Sequence, residues 1–328
     1  MSPASSRTAY TLRRLGQGGL NILGIVVANF FLLHLAPGDA VDVLAGESGS
    51  ATPEYLAHLR RVFGLDQPLY VQLLVYVKNI LSLNLGYSFR HNASVLHLIL
   101  TRLGPTLLLM GTTIVLSIAI GMLLGLIAAM RPNSWRDNLI SVLALISYAT
   151  PLFWVGLMLI LVFALKLGWA PTSGMENVAA FYTGWDAVFD VAHHLILPAI
   201  TLSLFYLALY VRLMRSAVLD QATKDYVTTA RAKGLTERRV MFGHILRNAC
   251  LPVVTIAGVQ IGNLIGGSVI VESVFAWPGF GLLAFDALFT RDLNLLMGIF
   301  FVSACLVVGV NILIDLLYTF LDPRIALR

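Results

Sequence analysis

Charged side chains are scarce in this sequence and are missing from long parts of it. Asp, Glu, Lys and Arg make up 12% of the 328 residues, about half the roughly 25% that is usual in soluble domains. Six windows contain none of these four residue types: 15–38, 103–130, 138–165, 191–211, 248–271 and 293–314. Each window exceeds the about 18 apolar residues with which a helix can span a bilayer. The shortage of charge therefore excludes a soluble protein and indicates a polytopic membrane protein.

The windows also lack the alternation of polar and apolar residues that is typical of barrel strands. Only helices and closed barrels satisfy every backbone hydrogen bond in hydrocarbon, and barrel strands alternate over about ten residues. The six windows instead run continuously apolar. The sequence predicts an all-α fold, a polytopic bundle of six transmembrane helices.

Cysteine is nearly absent, and the common metal motifs are missing. The two cysteines, Cys250 and Cys305, both fall in predicted spans, which excludes a disulfide framework. No glutamate follows a histidine, so the His-Glu-x-x-His motif of zinc proteases does not occur. We therefore predict no metal site and no catalytic residue. The net charge of +5 is typical of membrane topology and does not indicate nucleic-acid binding.

A phosphate-binding loop is missing as well. The Gly-x-x-x-x-Gly-Lys motif needs a lysine directly after a glycine. None of the four lysines meets this condition: Lys78, Lys166, Lys224 and Lys233. The chain is therefore not expected to hydrolyse ATP, and no enzymatic activity is predicted.

The positions of the basic residues predict the topology. If the N-terminus is cytoplasmic, the inside segments carry fifteen Lys and Arg residues, whereas the two short outside loops carry only Lys166 and Arg291. The long outside segment 39–102 counts little in this rule. Both termini are therefore predicted to be cytoplasmic. A cleaved signal peptide is an alternative for the first window, because basic residues precede it and small residues follow it.

Glycines at helical spacing predict close contacts between helices. Gly121 and Gly125 are four residues apart in the second span, and Gly258, Gly262 and Gly266 repeat this spacing in the fifth. Small residues on one face let two backbones approach closely. Gln260 and Asn263 of the same span are candidates for lining a pathway, and hydrogen bonding between helices is the alternative.

Asp315 is an ionisable residue near the inner end of the sixth span. It could relay protons in a secondary transporter, or it could pair with a cytoplasmic arginine such as Arg324. We favour the ion pair, because no second buried carboxylate is predicted elsewhere in the chain.

The long inner loop 212–247 carries eight basic residues. Its core has no proline and two glycines, and this pattern predicts a helix, a turn at Gly234 and a second helix. Ala230 lies four residues before Gly234, so we expect both on the face that would dock a partner. Contact with lipid headgroups is the alternative for the basic residues. The residues expected to be exposed are Arg231, Lys233, Arg238 and Arg239.

At this loop the sequence resembles a known family. The stretch Asp225-Tyr226-Val227-Thr228-Thr229-Ala230-Arg231-Ala232-Lys233-Gly234-Leu235, followed by Arg247-Asn248-Ala249-Cys250-Leu251-Pro252, is similar to the coupling loop of binding-protein-dependent ABC importer permeases. Three further stretches resemble the B-type inner-membrane subunit of the dipeptide, oligopeptide and nickel branch: 35–39, 274–281 and 316–324. The resemblance extends over essentially the whole chain.

The resemblance implies a type I ABC importer permease fold and a set of partners. These are a second homologous permease subunit, two ATP-binding subunits that hold ATP and Mg, an extracytoplasmic solute-binding protein and membrane lipid. No cofactor is expected on this chain itself. The coupling residues implied are Tyr226, Thr229, Ala230, Arg231, Ala232, Lys233, Gly234 and Leu235.

The resemblance also implies a location and a domain division. We expect a multi-pass protein of the bacterial inner membrane. Residues 1–93 would form a transmembrane helix with an extracytoplasmic segment, 94–318 an ABC transmembrane type-1 domain, and 319–328 a cytoplasmic tail.

The transported substrate is less well defined by the resemblance than the type of transport. We expect half of a translocation pathway for peptides or similar small solutes, and nickel chelates and glutathione are alternatives within the same branch. Two other functional classes stay open: a proton-coupled secondary transporter that uses Asp315, and a membrane scaffold.

Overall fold

The computed structural model describes residues 3–35, 52–62 and 64–321. It describes their side chains except those of 3–12, 33, 53, 59, 62, 259, 261–267 and 315–321. The helices are α1 (Pro3–Leu35), α2 (Pro53–Val62), α3 (Leu69–Leu81), α4 (Val95–Met130), α5 (Trp135–Ala149), α6 (Leu152–Leu159), α7 (Trp185–Ala222), α8 (Asp225–Ala232), α9 (Glu237–Val240), α10 (Leu246–Val274), α11 (Phe280–Phe289) and α12 (Leu293–Leu321).

Two segments with π-helical hydrogen bonding continue α6 and α9: Ile160–Lys166 and Met241–Ile245. A short 3-10 helix spans Val178–Ala180. Two-residue strands β1 (Tyr87–Ser88) and β2 (Ala93–Ser94) pair antiparallel. The prediction of an all-α membrane fold is confirmed by these elements.

Five helical segments of the described chain are long and apolar enough to cross a bilayer: Arg13–Leu32, Val95–Met130, Trp185–Ala222, Glu237–Gly258 and Leu293–Ile314. A sixth crossing requires α5 and α6 together with its π-helical continuation, and these two parts are bent by 104°. The six predicted windows therefore correspond to five helices and one broken pair.

The break lies in the middle of the third charge-free window. Thr150 has extended backbone angles, with φ −81° and ψ 133°, and α6 starts directly after Pro151. Proline has no N–H, so it cannot donate to the carbonyl of Ser147 and continue α5. The sequence pattern predicted one continuous span here, because apolar composition does not report a change of helix direction.

The chain forms two compact units, one of residues 105–282 and one of residues 1–104 and 283–328. Within residues 105–282, glycines allow α4 and α7 to approach closely. A Cβ at Gly121 would lie 2.5 Å from Tyr210 Cβ, and a Cβ at Gly125 would lie 2.6 Å from Val211 O. These distances leave no room for a side chain, which is the close approach that the spacing predicted. Tyr210 and Met214 are buried in this contact.

Helix α5 packs antiparallel to α7 in the same unit. Asp137, near the start of α5, accepts two hydrogen bonds from Arg215 of α7, each 2.7 Å long. About two turns farther along α5, Ala144 packs with Ala208 and Val211 of α7. Asp137 is 2% exposed, and the ion pair joins the first turn of α5 to the C-terminal half of α7.

In the other unit, α1 packs along α12. A Cβ at Gly18 would lie 2.8 Å from Ile312 Cδ1, so the two helices are in close contact there. The β1–β2 hairpin is attached to the start of α12, where Ser88 Oγ donates to Asp292 and Asn294 Nδ2 donates to the carbonyl of Tyr87. Asp292 also caps α12 by accepting from Leu295 N.

Candidate functional site

The loop 212–247 contains a helical hairpin, which we call the coupling hairpin and define as residues 225–245. Helix α8 ends at Ala232, and Gly234 then has a φ of 76°. Gly234 N donates to the carbonyl of Arg231, and Leu235 N donates to the carbonyl of Ala230. The predicted helix, turn at Gly234 and second helix are therefore confirmed. The left-handed backbone of the turn favours glycine.

One face of the coupling hairpin is packed into the protein. Val227 and Val240 are 0% exposed, Ala230 is 5% exposed, and all three belong to a large apolar cluster that includes Val218 of α7. The expectation that Ala230 lies on a docking face is therefore wrong. Its position one turn before Gly234 was read correctly, but tertiary packing turns this face inward. A charge at Ala230 would disturb the hairpin itself.

The opposite face of α8 is exposed and carries small or polar side chains. Asp225, Thr228, Thr229 and Ala232 follow one another at helical spacing and are all exposed, as are Lys233 and Gly234. A Cβ at Gly234 would meet no atom within 4 Å. This face can therefore admit a partner surface close to the backbone of the hairpin.

Polar contacts link the two helices of the hairpin to each other and to α7. Arg231 donates to both carboxylate oxygens of Glu237 at 2.8 and 3.2 Å, and this hydrogen bonding raises the pKa of Arg231. Tyr226 is partly buried, and its hydroxyl donates to Gln221 at the end of α7. Leu235 is partly buried against the apolar cluster. The expected exposure of Arg231, Lys233, Arg238 and Arg239 is confirmed.

A shallow basic hollow adjoins the second helix of the hairpin. It has a volume of about 550 Å³ and is lined by Thr236, Arg238, Arg239, Phe242 and Gly243. Phe242 is 50% exposed, so the hollow combines two guanidinium groups with an accessible ring. Such a surface suits an acidic partner that also offers an apolar side chain.

The residues predicted on the fifth span lie on α10, but most of their side chains are outside the described part. This holds for Asn263 and for positions Gly262 and Gly266. Gly258 and Gln260 are both partly buried, and Gln260 interacts with another group of the chain. The side chain of Asp315 is also outside the described residues. The helix-packing and pathway roles of these positions stay predictions.

The described residues contain no group of three His, Cys, Asp or Glu side chains that could hold a metal ion. They do contain a buried carboxylate that the sequence reasoning missed. Glu272, near the end of α10, is 0% exposed. The expectation that no second buried carboxylate occurs in the chain is therefore wrong.

Glu272 is surrounded by hydrogen-bond donors. Thr106 Oγ1 accepts from Phe280 N at 2.7 Å and donates to Glu272 Oε1 at 2.7 Å. Leu282 N donates to Glu272 Oε2 at 2.8 Å. In the described part of the chain no basic side chain forms an ion pair with this carboxylate. We call this arrangement the Glu272 cage.

Two glycines make the cage possible. A Cβ at Gly279 would overlap the carboxyl group of Glu272, and a Cβ at Gly281 would lie 2.9 Å from its Oε2. Trp277 adds a second link, because its Nε1 donates to the carbonyl of Pro105 in α4. The signal in the sequence was an acidic residue directly after a charge-free window and before a turn with two glycines. The cage joins the N-terminal third of α4 to the end of α10.

Comparison with known proteins identifies the family of the chain. The family model described as "Binding-protein-dependent transport system inner membrane component" matches residues 121–327. A second model, for the N-terminal part of such membrane components, matches residues 8–110. Together the two matches include most of the chain and the whole coupling hairpin.

Curated relatives match over nearly their full length. A putative peptide permease protein of Brucella ovis is 44% identical over 96% of this chain and 98% of its own. The oligopeptide transport system permease protein AppB of Bacillus subtilis is 41% identical over 97% and 99%. The dipeptide transport system permease protein DppB of Escherichia coli K12 is 38% identical over 96% and 98%.

A solved structure supports the fold independently. The inward-facing MetNI methionine ABC transporter aligns with a TM-score of 0.55 at 16% identity, covering 69% of this chain and 96% of that chain. This likeness shows a type I ABC importer permease fold. Because the family model and the relatives extend over most of the sequence, the chain belongs to the family of binding-protein-dependent transport system inner membrane components, as a permease subunit of an ABC importer.

Proposed function

We propose that the chain forms half of a translocation pathway for peptides and that the coupling hairpin transmits the motion of an ATPase to it. The relatives that are named for peptide, oligopeptide or dipeptide transport support the substrate class. The exposed face of α8 carries the proposal for coupling. It is small and polar, it ends in a glycine turn, and its reverse side belongs to the apolar cluster that includes Val218 of α7.

The packing of the hairpin gives a physical route for the coupling. A force on the exposed face of α8 would be passed through Val227 and Ala230 to the apolar cluster around α7. Packed interiors are stiff, so a rigid displacement is transmitted rather than absorbed. α7 would then move with the hairpin and alter access to the pathway.

The missing phosphate loop supports separate ATP-binding subunits, and the family of the chain supports the other partners. We propose two ATP-binding subunits that hold ATP and Mg, a second homologous permease subunit and an extracytoplasmic solute-binding protein. The basic hollow at Arg238 and Arg239 is suited to an acidic patch on one ATP-binding subunit. The division into residues 1–93, 94–318 and 319–328 is part of the same proposal.

We further propose that the protein lies in the bacterial plasma membrane with both termini in the cytoplasm. Single cysteines in a variant without Cys250 and Cys305 test this orientation. Ser173→Cys, in the loop before α7, should react with an impermeant maleimide in intact cells. Thr228→Cys, on α8, should react only after permeabilisation. Both positions are exposed, and labelling of both in intact cells would contradict the topology.

Uptake by the complete complex in proteoliposomes tests the substrate class. The binding protein is supplied on the side of the bilayer that corresponds to the extracytoplasmic face. The complex should then accumulate a labelled tripeptide when ATP is supplied. A nickel chelate and glutathione serve as the alternative substrates in parallel assays. ATP-dependent uptake of one of these without uptake of any peptide would contradict the peptide proposal and leave the importer identity intact.

A further inference from the structure

The break between α5 and α6 places irregular backbone in the middle of an apolar window. The carbonyl of Ser147 has no N–H donor at Pro151, and the helix direction changes by 104°. In hydrocarbon, unsatisfied backbone of this kind is tolerated only against protein or a water-filled cavity. The side of α5 at the break is therefore unsuited to face lipid.

Two aromatic rings and one guanidinium group meet beside this break. Tyr148 stacks on Phe205 of α7, with ring centroids 5.4 Å apart and an interplanar angle of 24°. The Arg212 guanidinium carbon lies 5.6 Å from the centroid of the Tyr148 ring. Tyr148 is 50% exposed, and Arg212 is exposed as well. The cluster therefore presents a cation and a ring to whatever occupies the space beside the break.

The direction of Arg212 differs from that of an arginine that reaches toward water at the end of a span. Its Nε donates to the carbonyl of Ala208 at 3.3 Å, one turn back into the charge-free window 191–211. A snorkelling arginine at the inner end would extend toward the cytoplasm instead. A guanidinium held at this depth is costly unless water or an anion compensates it.

Arg212 also differs from its neighbour on α7. Arg215 is neutralised by the bidentate ion pair with Asp137. In the described part of the chain, Arg212 has no carboxylate partner and donates one hydrogen bond, through Nε. Its terminal nitrogens therefore have free N–H groups in the fork geometry that suits a carboxylate.

We propose that Arg212, Tyr148 and Phe205 form a subsite on the translocation pathway for the C-terminal carboxylate of a peptide. Arg212 binds the carboxylate through its terminal N–H groups, and the stacked rings contact the adjacent apolar part of the peptide. This inference rests on the proposed function, since it assumes that peptides pass along this face of the permease.

Paired substrates test the subsite in proteoliposomes that contain the complete complex. One tripeptide is supplied with a free C-terminal carboxylate and as its C-terminal amide. The wild type should transport the free acid faster. Arg212→Gln should lower uptake of the acid about tenfold and change uptake of the amide by less than about twofold. Arg212→Lys keeps the charge without the fork and should lie between the two.

Arg136→Gln is the matched control. Arg136 also lies over an aromatic ring, with its guanidinium carbon 5.6 Å from the centroid of Trp135, and it is exposed at the start of α5. It is far from the break along the helix, so this variant should keep the wild-type preference for the free acid. The comparison separates loss of the subsite from loss of one surface cation.

Three results would overturn the subsite. An unchanged ratio of acid to amide uptake in Arg212→Gln shows that the carboxylate does not bind there. Loss of the second permease from the purified variant complex would assign Arg212 to a subunit interface. A defect that appears only with anionic lipids would assign it to a lipid phosphate. Failure of the wild type to transport either peptide would instead contradict the proposed function, and with it the subsite.

Discussion

Two glutamates show how differently carboxylates are used in this permease. Glu272 is 0% exposed and accepts hydrogen bonds from Thr106 and Leu282, without a basic partner in the described residues. Glu237, in the coupling hairpin, forms a bidentate pair with Arg231, yet its side chain is 71% exposed. The hairpin contact is an ion pair between two charged groups, whereas Glu272 only accepts hydrogen bonds from neutral donors. We nevertheless expect that loss of the Glu272 contacts lowers the stability of the protein more.

The difference follows from what water can replace. If the pair in the hairpin is broken, both groups are solvated again, and exposed ion pairs contribute little. If a donor or acceptor of the Glu272 cage is lost, its partner stays buried and unsatisfied, which costs far more. We infer that the cage holds helices α4 and α10 together, whereas the hairpin is built to present a surface.

The largest loss of stability is expected for Glu272→Gln. The amide oxygen can still accept from Leu282 N, but the NH₂ group then faces the Thr106 hydroxyl, which can no longer donate to this side chain. We expect a cost of about 3 kcal/mol. Thermal unfolding of the purified complex in detergent measures it. Thr106→Ser keeps the hydroxyl and should be mild, whereas Thr106→Val should approach the effect of Glu272→Gln. Equal stability of all three variants and the wild type would contradict the cage.

Asp137→Asn should have the next largest effect. The variant loses the charge that binds Arg215, and Asp137 is buried. The Arg215 side chain is 30% exposed, so water compensates part of the loss and we expect about 2 kcal/mol. The same unfolding assay applies. A double variant with Arg215→Gln should be less than additive, and strict additivity would show that the two side chains do not interact.

Gly234→Val should cost about 1 kcal/mol of stability, because a β-branched residue resists a φ of 76°. Its effect on uptake should exceed its effect on unfolding, since the turn shapes the exposed face. Gly234→Asn is the control, as asparagine tolerates left-handed backbone better. If both variants transport equally well, the backbone of this turn is not important for coupling.

Glu237→Gln should have the smallest effect, with no clear change in the unfolding temperature. The pair with Arg231 is exposed, so water can replace each of its hydrogen bonds. Uptake should stay close to that of the wild type. A loss of stability comparable with that of Asp137→Asn would show that burial does not explain the difference between the two glutamates.

Local features of this fold could be predicted from the sequence. The absence of charge marked every span, because a charged side chain in hydrocarbon is costly wherever it lies. Gly234 was recognised as a turn because a single glycine separates two helical patterns. The spacing of Gly121 and Gly125 indicated a close contact, although it did not indicate that α7 is the helix that approaches.

Features that depend on tertiary packing could not be predicted in the same way. Ala230 faces inward because it packs in the apolar cluster that also contains Val218 and Val240. The periodicity of α8 contains no information about which side is covered. The 104° bend at Thr150 and Pro151 lies inside an apolar window, and the composition of that window does not reveal it. Glu272 is buried by Thr106 and by the turn that follows α10, and Thr106 is distant in sequence.

The most direct test of the account compares Ala232→Glu with Asn138→Glu. Both positions are exposed and helical, and both variants add one negative charge to the predicted cytoplasmic side. Asn138 lies within helix α5, so glutamate is compatible with its backbone.

The measurement is peptide uptake together with the amount of ATP-binding subunit that co-purifies. If α8 docks the ATPase, Ala232→Glu should insert normally in the membrane but lose most of the uptake and of the bound ATPase, whereas Asn138→Glu should retain both. Full uptake by Ala232→Glu with the ATPase still bound would contradict the proposal that the exposed face of the coupling hairpin transmits ATP hydrolysis to the pathway.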